Sequence, residues 1–376
     1  MAGLAAFAAV VAAIAAVQCI AGWIVVVRFA ARPRRAPRAR PPVTVLKPLH
    51  GDEPRLEQAL ESLCRQRYPV FQVVFGVADQ ADPAAGVVRR LQSRFPGRDL
   101  ALVVDARQHG ANPKVSNLIN MLPAARHEML VIADSDLHVA EDYLDRLVAA
   151  LEPPGTGLAT TLYAGLPGQP GLPARLGAAQ ITHYFLPGAW LARAMGRRDC
   201  LGATMALRRD TLRRVGGFAA LVAHLADDNA LGRLVQGLGL AVALADTVPL
   251  TTVAERRLSA LFRHELRWAR TIRALAPMPF AASVLQYPIF WALLALVLTP
   301  LAPWPWIVLA LAWAVRAVAA FGIDRALAGV TGPLPPPRLW LLPLRELMSV
   351  AVMIVSYAGL RVEWRGSTLH ADGPAK

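Results

Sequence analysis

Two aspartates separated by one serine directly follow an apolar run of this chain. The run Met129–Ala133 ends at Asp134-Ser135-Asp136. Carboxylates at the end of a buried strand repel each other and resist desolvation unless a positive charge lies between them. Mg²⁺ and Mn²⁺ prefer such oxygen ligands and can bridge them to a diphosphate. Asp134 and Asp136 are therefore predicted metal ligands. A solvated loop, or an N-cap for a helix over Glu141–Leu151, is the alternative.

Two more residues have a type and position that suit a nucleotide. Asp79 follows a second apolar run, where a carboxylate can hold a base or ribose through hydrogen bonds; an Asx-turn before Pro83 is the alternative. Lys114 begins a predicted helix, where an ammonium and free backbone N–H groups favour a phosphate. An ordinary surface lysine is the alternative there.

Further along the chain lie an acidic pair and a basic, aromatic motif. Either Asp227 or Asp228 could be a general base for an attacking hydroxyl, although such a pair before a helical run also suits a helix cap. His264, Arg267 and Trp268 share one face of a predicted helix. They could contact a leaving diphosphate and stack on an acceptor, or form an interfacial Arg/Trp belt beside a membrane.

Apolar runs that alternate with helical patterns would position these residues. The pairs are Val43–Leu49 with Glu53–Arg65, Phe71–Asp79 with Pro83–Phe95, Asp99–Asp105 with Lys114–Ala125, and Glu128–Asp136 with Glu141–Leu151. This alternation predicts right-handed βαβ units and a parallel α/β sheet covered on both faces. Asp79, Asp134 and Asp136 fall at the carboxyl ends of strands, where ligands of such sheets bind.

The composition points to a membrane protein. Hydrophobic residues make up 55% of the 376 residues and charged residues only 18%. The net charge of +14 (40 Lys and Arg against 26 Asp and Glu) could suit nucleic acid, an anionic membrane face or an anionic substrate. No nucleic-acid motif accompanies the charge, so nucleic acid is not an expected partner.

The first apolar stretch, Ala2–Val27, is long enough to cross a hydrocarbon core of about 30 Å. Arginines follow it, at positions 28, 32, 34, 35, 38 and 40. Because positive charge stays in the cytoplasm, the N-terminus is predicted to lie outside and the catalytic part inside. A signal peptide is the weaker alternative, since its charges would precede the apolar run.

Two later stretches are also apolar. Ala274–Val315 is predicted to form a transmembrane hairpin that turns at Pro300–Trp306. Leu339–Leu360 contains Arg345 and Glu346, which favour a segment that lies on the membrane or packs against protein over a span. The predicted domains are an anchor (1–28), a basic linker (29–41), a catalytic domain (42–273), the hairpin (274–322), and a loop with a membrane-associated or transmembrane segment and tail (323–376).

The order of these motifs resembles the ceramide glucosyltransferase family, which has a GT-A fold, and the likeness runs nearly end to end. The matching elements are TVLKPLHGDEP, ADQADP, NPKVSNL, ADSD, LADDN, HELRW and the tail LRELMSVAVMIVSYAGLRVEWRGSTL. His264 stands where the family has Gln or Arg, and Asp136 is absent from some animal members. The resemblance implies an α/β GT-A (Rossmann-like) glycosyltransferase domain with transmembrane helices at both ends.

The resemblance also implies a reaction. Asp79 would hold the uridine of a UDP-sugar, with Lys114 near the phosphates and Asp134 and Asp136 on Mg²⁺ or Mn²⁺. Asp228 would be the base for an inverting transfer, and the face of His264, Arg267 and Trp268 would border the diphosphate and the acceptor.

On this reading, glucose, galactose or N-acetylglucosamine would pass to a hopanoid or ceramide hydroxyl at a bacterial inner membrane, with the protein as a multi-pass membrane enzyme. A processive polysaccharide synthase, which normally needs more membrane helices, and a non-catalytic nucleotide-binding membrane protein are the alternatives.

Overall fold

The computed structural model describes residues 1–332 and 334–359, together with the backbone of 361–364 and 367–370. Contacts divide the chain into two compact units. The sheet unit comprises Arg32–Gln169 and Met195–Ala254. The helical unit comprises Met1–Ala31, Pro170–Ala194 and the described residues from Glu255 onward. Residues 170–194 and 255–273, which the sequence division placed in the catalytic domain, thus group with the apolar helices.

The strands, in chain order, are β1 (Val43–Pro48), β2 (Phe71–Val77), β3 (Asp99–Val104), β4 (Met129–Ala133), β5 (Leu137–His138), β6 (Thr156–Thr160), β7 (Ala164–Pro167), β8 (Thr204–Arg208), β9 (Ala241–Leu244), β10 (Leu250–Val253), β11 (Arg361–Trp364) and β12 (Ser367–His370). The α-helices are α1 (Ala2–Ala30), α2 (Leu56–Cys64), α3 (Pro83–Arg94), α4 (Pro113–Met121), α5 (Tyr143–Leu151), α6 (Leu172–Gln180), α7 (Leu186–Ala194), α8 (Arg209–Arg214), α9 (Asp227–Gly237), α10 (Leu258–Leu275), α11 (Pro277–Ala282), α12 (Pro288–Leu298), α13 (Trp304–Thr331) and α14 (Leu342–Ser356). A π-helical turn, Ile181–Phe185, joins α6 to α7.

The main sheet has the strand order β3-β2-β1-β4-β8-β6-β9. Strands β3, β2, β1 and β4 are parallel, and helices connect them, because a parallel pair cannot be closed by a tight turn. This confirms the predicted parallel part of the sheet. Strand β8 runs antiparallel to both β4 and β6, a feature the sequence pattern did not indicate. Strands β5, β10 and β7 form a second, small sheet in that order, and β5 is the next strand after β4 in the chain.

Apolar side chains cover both faces of the main sheet. Leu130 and Ile132 of β4 belong to one core with Leu118 of α4, whereas Val131 belongs to a second core with Leu60 of α2. Successive residues of a strand point to opposite faces, so a strand buried on both sides is apolar throughout. Burying a leucine contributes about 2 kcal/mol. Both faces therefore hold β4 in place and fix where Asp134–Asp136 emerges.

The basic linker lies against α5 within the sheet unit. The Arg40 guanidinium donates to both carboxylate oxygens of Asp145, at 2.7 and 3.1 Å. The backbone N–H of Arg38 donates to Glu152 at 2.5 Å. Each such exposed contact is weak by itself because water and salt screen it. Several together fasten the linker to the sheet unit.

In the helical unit, α1, α13 and the segment Leu339–Ser356 are each long and apolar enough to cross a membrane, within the described part of the chain. These helices indicate a membrane protein. The first arm of the predicted hairpin differs from a straight span: Pro277–Gln286 and Pro288–Leu298 meet at a bend of 66°. Pro288 begins α12, and a proline disfavours helical backbone at the residue before it. The break between α12, which ends at Leu298, and α13, which begins at Trp304, falls in the region of the predicted turn.

The charged pair in the last apolar segment is buried within the helical unit. Arg345 donates to both carboxylate oxygens of Glu265, at 2.7 Å each. Glu346 accepts a hydrogen bond from the Phe290 backbone N–H at 2.9 Å. Because these charges have partners inside the protein, they do not prevent the segment from spanning a membrane.

Candidate active site

The turn Asp134-Ser135-Asp136 is held by contacts to its backbone and to its serine. The Asp134 N–H donates to the Ala203 carbonyl at 3.1 Å, and the buried Lys47 ammonium donates to the Asp134 carbonyl. The Ser135 hydroxyl donates to the Glu53 carboxylate at 2.5 Å. The turn is therefore anchored by β1, by the loop after β1 and by the residue preceding β8.

Asp136 is fixed by the start of β10 and the residue next to it. The Thr251 hydroxyl donates to its carboxylate at 2.5 Å, and the Thr252 N–H donates to its carbonyl at 3.2 Å. Burial, together with the charge of Asp134, raises the pKa of Asp136 to about 7. The carboxylates of Asp134 and Asp136 therefore have too little positive charge nearby to offset their mutual repulsion.

Lys114 joins the turn to the beginning of α9. Its ammonium lies 2.7 Å from Asp134 and 3.6 Å from Asp227, residues far apart in sequence. Although burial lowers it, the charges of Asp134 and Asp227 raise the pKa of Lys114 above its ordinary value. The Lys114 side chain is 14% exposed and that of Asp134 is 37% exposed, so Lys114 is not the surface lysine of the alternative reading and one side of Asp134 stays open.

Asp228 lies in the first turn of α9. Ala226 occupies the N-cap position, so neither aspartate of the pair caps the helix. Burial and the neighbouring Asp227 raise the pKa of Asp228 to about 6. Gly202 packs directly on this carboxylate: a Cβ there would lie 2.8 Å from Asp228 Oδ2. These features suit a carboxylate that takes up protons near neutral pH.

Asp79 follows β2, two strands from β4, at the same edge of the sheet. Its side chain is exposed and accepts a hydrogen bond from the Ala81 N–H at 2.9 Å. The Asx-turn of the alternative reading is thus formed, through one of the two oxygens of an exposed carboxylate.

His264, Arg267 and Trp268 lie on α10 and belong to the helical unit. The His264 ring contacts the Trp268 ring edge-on, with centroids 4.4 Å apart. His264 Nδ1 is hydrogen-bonded to the Glu255 carboxylate. Burial opposes the effect, but this hydrogen bond holds the pKa of Glu255 below its ordinary value. Glu255 thus fixes the orientation of the imidazole.

Sequence reasoning missed four residues near the turn: Lys47, Glu53, Tyr163 and Thr251. Burial, followed by the negative charges of Asp228, Asp134 and Asp136, raises the pKa of Tyr163. Only Lys47 left a signal, as a charged residue inside the apolar run VTVLKPL. Glu53 lies at the start of the helical pattern Glu53–Arg65 but reads there as an ordinary helix residue, and Tyr163 and Thr251 lie in segments without a recognisable pattern.

The chemistry of the turn fits a divalent cation that is completed by a substrate. Among the described residues, no three His, Cys, Asp or Glu side chains converge into a metal site made of protein alone. Mg²⁺-type sites commonly use one or two carboxylates, with waters and phosphate oxygens as the other ligands. Asp134 and Asp136 match that donor set, and a cation would offset their mutual repulsion.

Comparisons with known proteins identify the family of this chain. The sequence profile of Glycosyl transferase family 21 matches residues 3–374. The chain belongs to this family. The resemblance to ceramide glucosyltransferases is confirmed as well. Ceramide glucosyltransferase of Komagataella phaffii is 35% identical over 114 residues, 29% of this chain and 22% of that protein. Ceramide glucosyltransferase 1 of Caenorhabditis elegans is 25% identical over 252 residues, 65% of this chain and 53% of the relative. The chain thus spans about half or less of these two relatives.

A solved structure shows the same fold. The mannosyltransferase PcManGT from Pyrobaculum calidifontis, in complex with GDP-Man and Mn²⁺, superposes with a TM-score of 0.56 at 22% identity. The match covers 94% of this chain and 99% of that one. The predicted GT-A-like α/β fold of this family 21 member is therefore confirmed.

Proposed function

We propose that this family 21 glycosyltransferase transfers a sugar from a UDP-sugar to the primary hydroxyl of a membrane lipid, a hopanoid or a ceramide, with inversion at the anomeric carbon. The observation that carries the proposal is the convergence of Lys114, Asp134, Asp227 and Asp228 at the carboxyl edge of the sheet. Metal-ligating, phosphate-binding and basic groups are needed together for this reaction. The names of the relatives, ceramide glucosyltransferases, support a lipid acceptor.

The donor would bind across the carboxyl ends of β2 and β4. Asp79 would accept hydrogen bonds from the uridine through the carboxylate oxygen that the Asx-turn does not use. Asp134 and Asp136 would hold a Mg²⁺ or Mn²⁺ ion, which supplies positive charge to the diphosphate when bound. Lys114, at the beginning of α4, would add a charge-assisted hydrogen bond to a phosphate oxygen. The solved mannosyltransferase of this fold, which holds a nucleotide-sugar and Mn²⁺, supports this choice of ligands.

Asp228 would receive the proton of the lipid hydroxyl. With its pKa raised to about 6, it is ionised at neutral pH and still basic enough to take that proton. The oxygen then forms a bond to the anomeric carbon on the side opposite the diphosphate, and the bond to UDP breaks. A single displacement of this kind gives the inverted, β-configured product.

The helical unit would bring the lipid. Arg267 and Trp268, with His264 held by Glu255, would border the diphosphate and the acceptor head group. The arginines after α1 favour an orientation with the sheet unit in the cytoplasm, where UDP-sugars are made, and a bacterial inner membrane fits that arrangement. The stretch Ile181–Met195 is apolar and aromatic with little charge, a pattern that suits either a surface helix that admits lipid or a core helix. Burial of Tyr184 and Trp190 favours the core helix.

The test uses the full chain purified in detergent. It is incubated with Mn²⁺, with UDP-glucose, UDP-galactose or UDP-N-acetylglucosamine in turn, and with a ceramide or a hopanoid, and the lipids are analysed by mass spectrometry. We expect one lipid to gain one sugar, and the gain to fall about a hundredfold or more with Asp228→Asn. Asp210→Asn, an exposed carboxylate on α8, is the matched control.

Two results would overturn the proposal. Long polymer formed from UDP-sugar without lipid would favour a polysaccharide synthase. Binding of UDP without release of UDP from any donor and lipid would favour a non-catalytic protein.

A further inference from the structure

Lys47 is a charged residue in the interior of the sheet unit. It lies on β1, among the apolar residues of that strand, and is 0% exposed. A lysine is almost never fully buried unless it is paired, since desolvation of an ammonium costs several kcal/mol. Its neighbours explain the burial, because the ammonium donates to the Asp134 carbonyl and the negative charges of Asp136, Asp134 and Glu53 favour its charged form.

Lys47 and Glu53 hold two different residues of the same turn. The Lys47 ammonium donates to the Asp134 carbonyl, so it acts on the backbone and leaves the Asp134 carboxylate to Lys114. Glu53 accepts from the Ser135 hydroxyl at 2.5 Å. The Glu53 loop is itself tied down, because the Gly51 N–H donates to the Asp82 carboxylate at 2.9 and 3.0 Å.

We propose that Lys47 and Glu53 are positioning residues that hold the Asp134–Asp136 turn in the shape that binds a divalent cation. The inference rests on the proposed function, since that function assigns the cation to this turn. Neither residue touches a substrate in this scheme. They act through the peptide and hydroxyl groups between the two ligands, as outer-shell partners of metal ligands do. The charge of Lys47 also reduces the repulsion among the carboxylates of Asp136, Asp134 and Glu53.

A geometric role and a purely electrostatic role predict opposite results for Lys47→Met. If Lys47 mattered only as a positive charge, its removal would strengthen the attraction of the turn for Mn²⁺. If it positions the turn, its removal lets Asp134 shift and weakens Mn²⁺ binding. If it only supports the fold, the unfolding temperature falls and Mn²⁺ binding stays the same.

The experiment measures Mn²⁺ affinity instead of turnover. Free Mn²⁺ is followed by electron paramagnetic resonance as the full chain in detergent is titrated, at one pH, with and without UDP. We expect Lys47→Met to weaken Mn²⁺ binding about tenfold or more, and Lys47→Arg, which keeps a donor and the charge, to recover part of the loss. Thr44→Val is the matched control: Thr44 is also buried on β1, but it bonds Gln72 and the His127 N–H instead of the turn.

Ser135→Ala provides a second test, which decides the matter if Lys47→Met does not fold. It removes the hydrogen bond to Glu53 without changing any charge, and we expect Mn²⁺ affinity to fall severalfold.

Unchanged or tighter Mn²⁺ binding in folded Lys47→Met, or unchanged binding in Ser135→Ala, would overturn the inference and leave the proposed function standing. If the wild-type protein bound no Mn²⁺ with or without UDP, the metal role in the proposed function would fail, and this inference with it.

Discussion

The protonation of Asp228 should control the rate of sugar transfer at low pH. Burial and the adjacent Asp227 raise its pKa to about 6, from an ordinary value of 3.8. A base acts only when ionised, so kcat/KM should rise with pH and level off above the pKa. With a pKa of about 6, about nine-tenths of the molecules carry the ionised base at pH 7 and about one-tenth at pH 5.

The expected profile is therefore a drop of about tenfold in kcat/KM for each pH unit below 6. An aspartate with an ordinary pKa would instead give a level rate from pH 5 upward. Asp227→Asn removes the largest charge contribution that raises the pKa of Asp228, so the acidic limb of the profile should move to lower pH. The plateau should also fall, because Asp227 lies 3.6 Å from the Lys114 ammonium.

The assay measures initial rates of UDP release against pH, at saturating lipid and Mn²⁺ and limiting donor. Saturating Mn²⁺ keeps protonation of Asp136, whose pKa is also raised, from setting the slope. The limb should not depend on Mn²⁺ concentration, and the exposed-site control Asp210→Asn should leave it in place. A level profile between pH 5 and 8, or a limb that does not move in Asp227→Asn, would refute the reasoning about Asp228.

Three further predictions concern single contacts. Gly202→Ala would place a Cβ 2.8 Å from Asp228 Oδ2 and displace the carboxylate, so kcat should fall about tenfold. The affinity for UDP, measured by calorimetry, should stay the same. An unchanged kcat would contradict this prediction. Lys114→Met should raise the KM for the donor about tenfold or more, and the KM of Lys114→Arg should lie between that of Lys114→Met and the wild type. An unchanged KM in Lys114→Met would exclude a role of Lys114 at the phosphates. Arg345→Met leaves the Glu265 carboxylate buried without its partner and should destabilise the protein by about 3–5 kcal/mol, measured as a lower midpoint of thermal unfolding. Adding Glu265→Gln to this variant should restore part of the loss. An unchanged midpoint in Arg345→Met would argue against a stabilising role of the pair.

The first half of the sheet could be predicted because each of its elements has its own local pattern. Strands β1, β2 and β4 are apolar runs buried on both faces, β3 is a partly buried apolar run at the sheet edge, and the intervening helices show a helical period. Strand β8 could not be placed in the same way. Its pairing with β4 depends on contacts such as Ala133 with Thr204, which join residues distant in sequence. The bend before α12 could have been predicted from Pro288, because a proline disfavours helical backbone at the residue before it, but the long apolar run favoured a straight span.

For the site, position in the chain carried more information than the surroundings did. Asp134 and Asp136 could be predicted as neighbours at the end of a strand, and their places follow from β4. The link from Lys114 to Asp134 and Asp227 could not, because it depends on how α4 and α9 approach the sheet. Lys47 stayed unnoticed for a related reason: a lysine in a strand reads as a solvent-facing residue until the structure shows what lies beneath it.

The fastening of the basic linker to α5 has a consequence for biosynthesis. The ribosome completes Arg40 long before Asp145, so the Arg40 guanidinium is without its Asp145 partner until that residue is made. In the proposed orientation, with the sheet unit in the cytoplasm, this unpaired charge would be available while the first helix is inserted. Once α5 has folded, the Arg40 side chain and the Arg38 backbone hold the linker against the sheet unit. One short stretch of chain can thus serve two purposes at separate times.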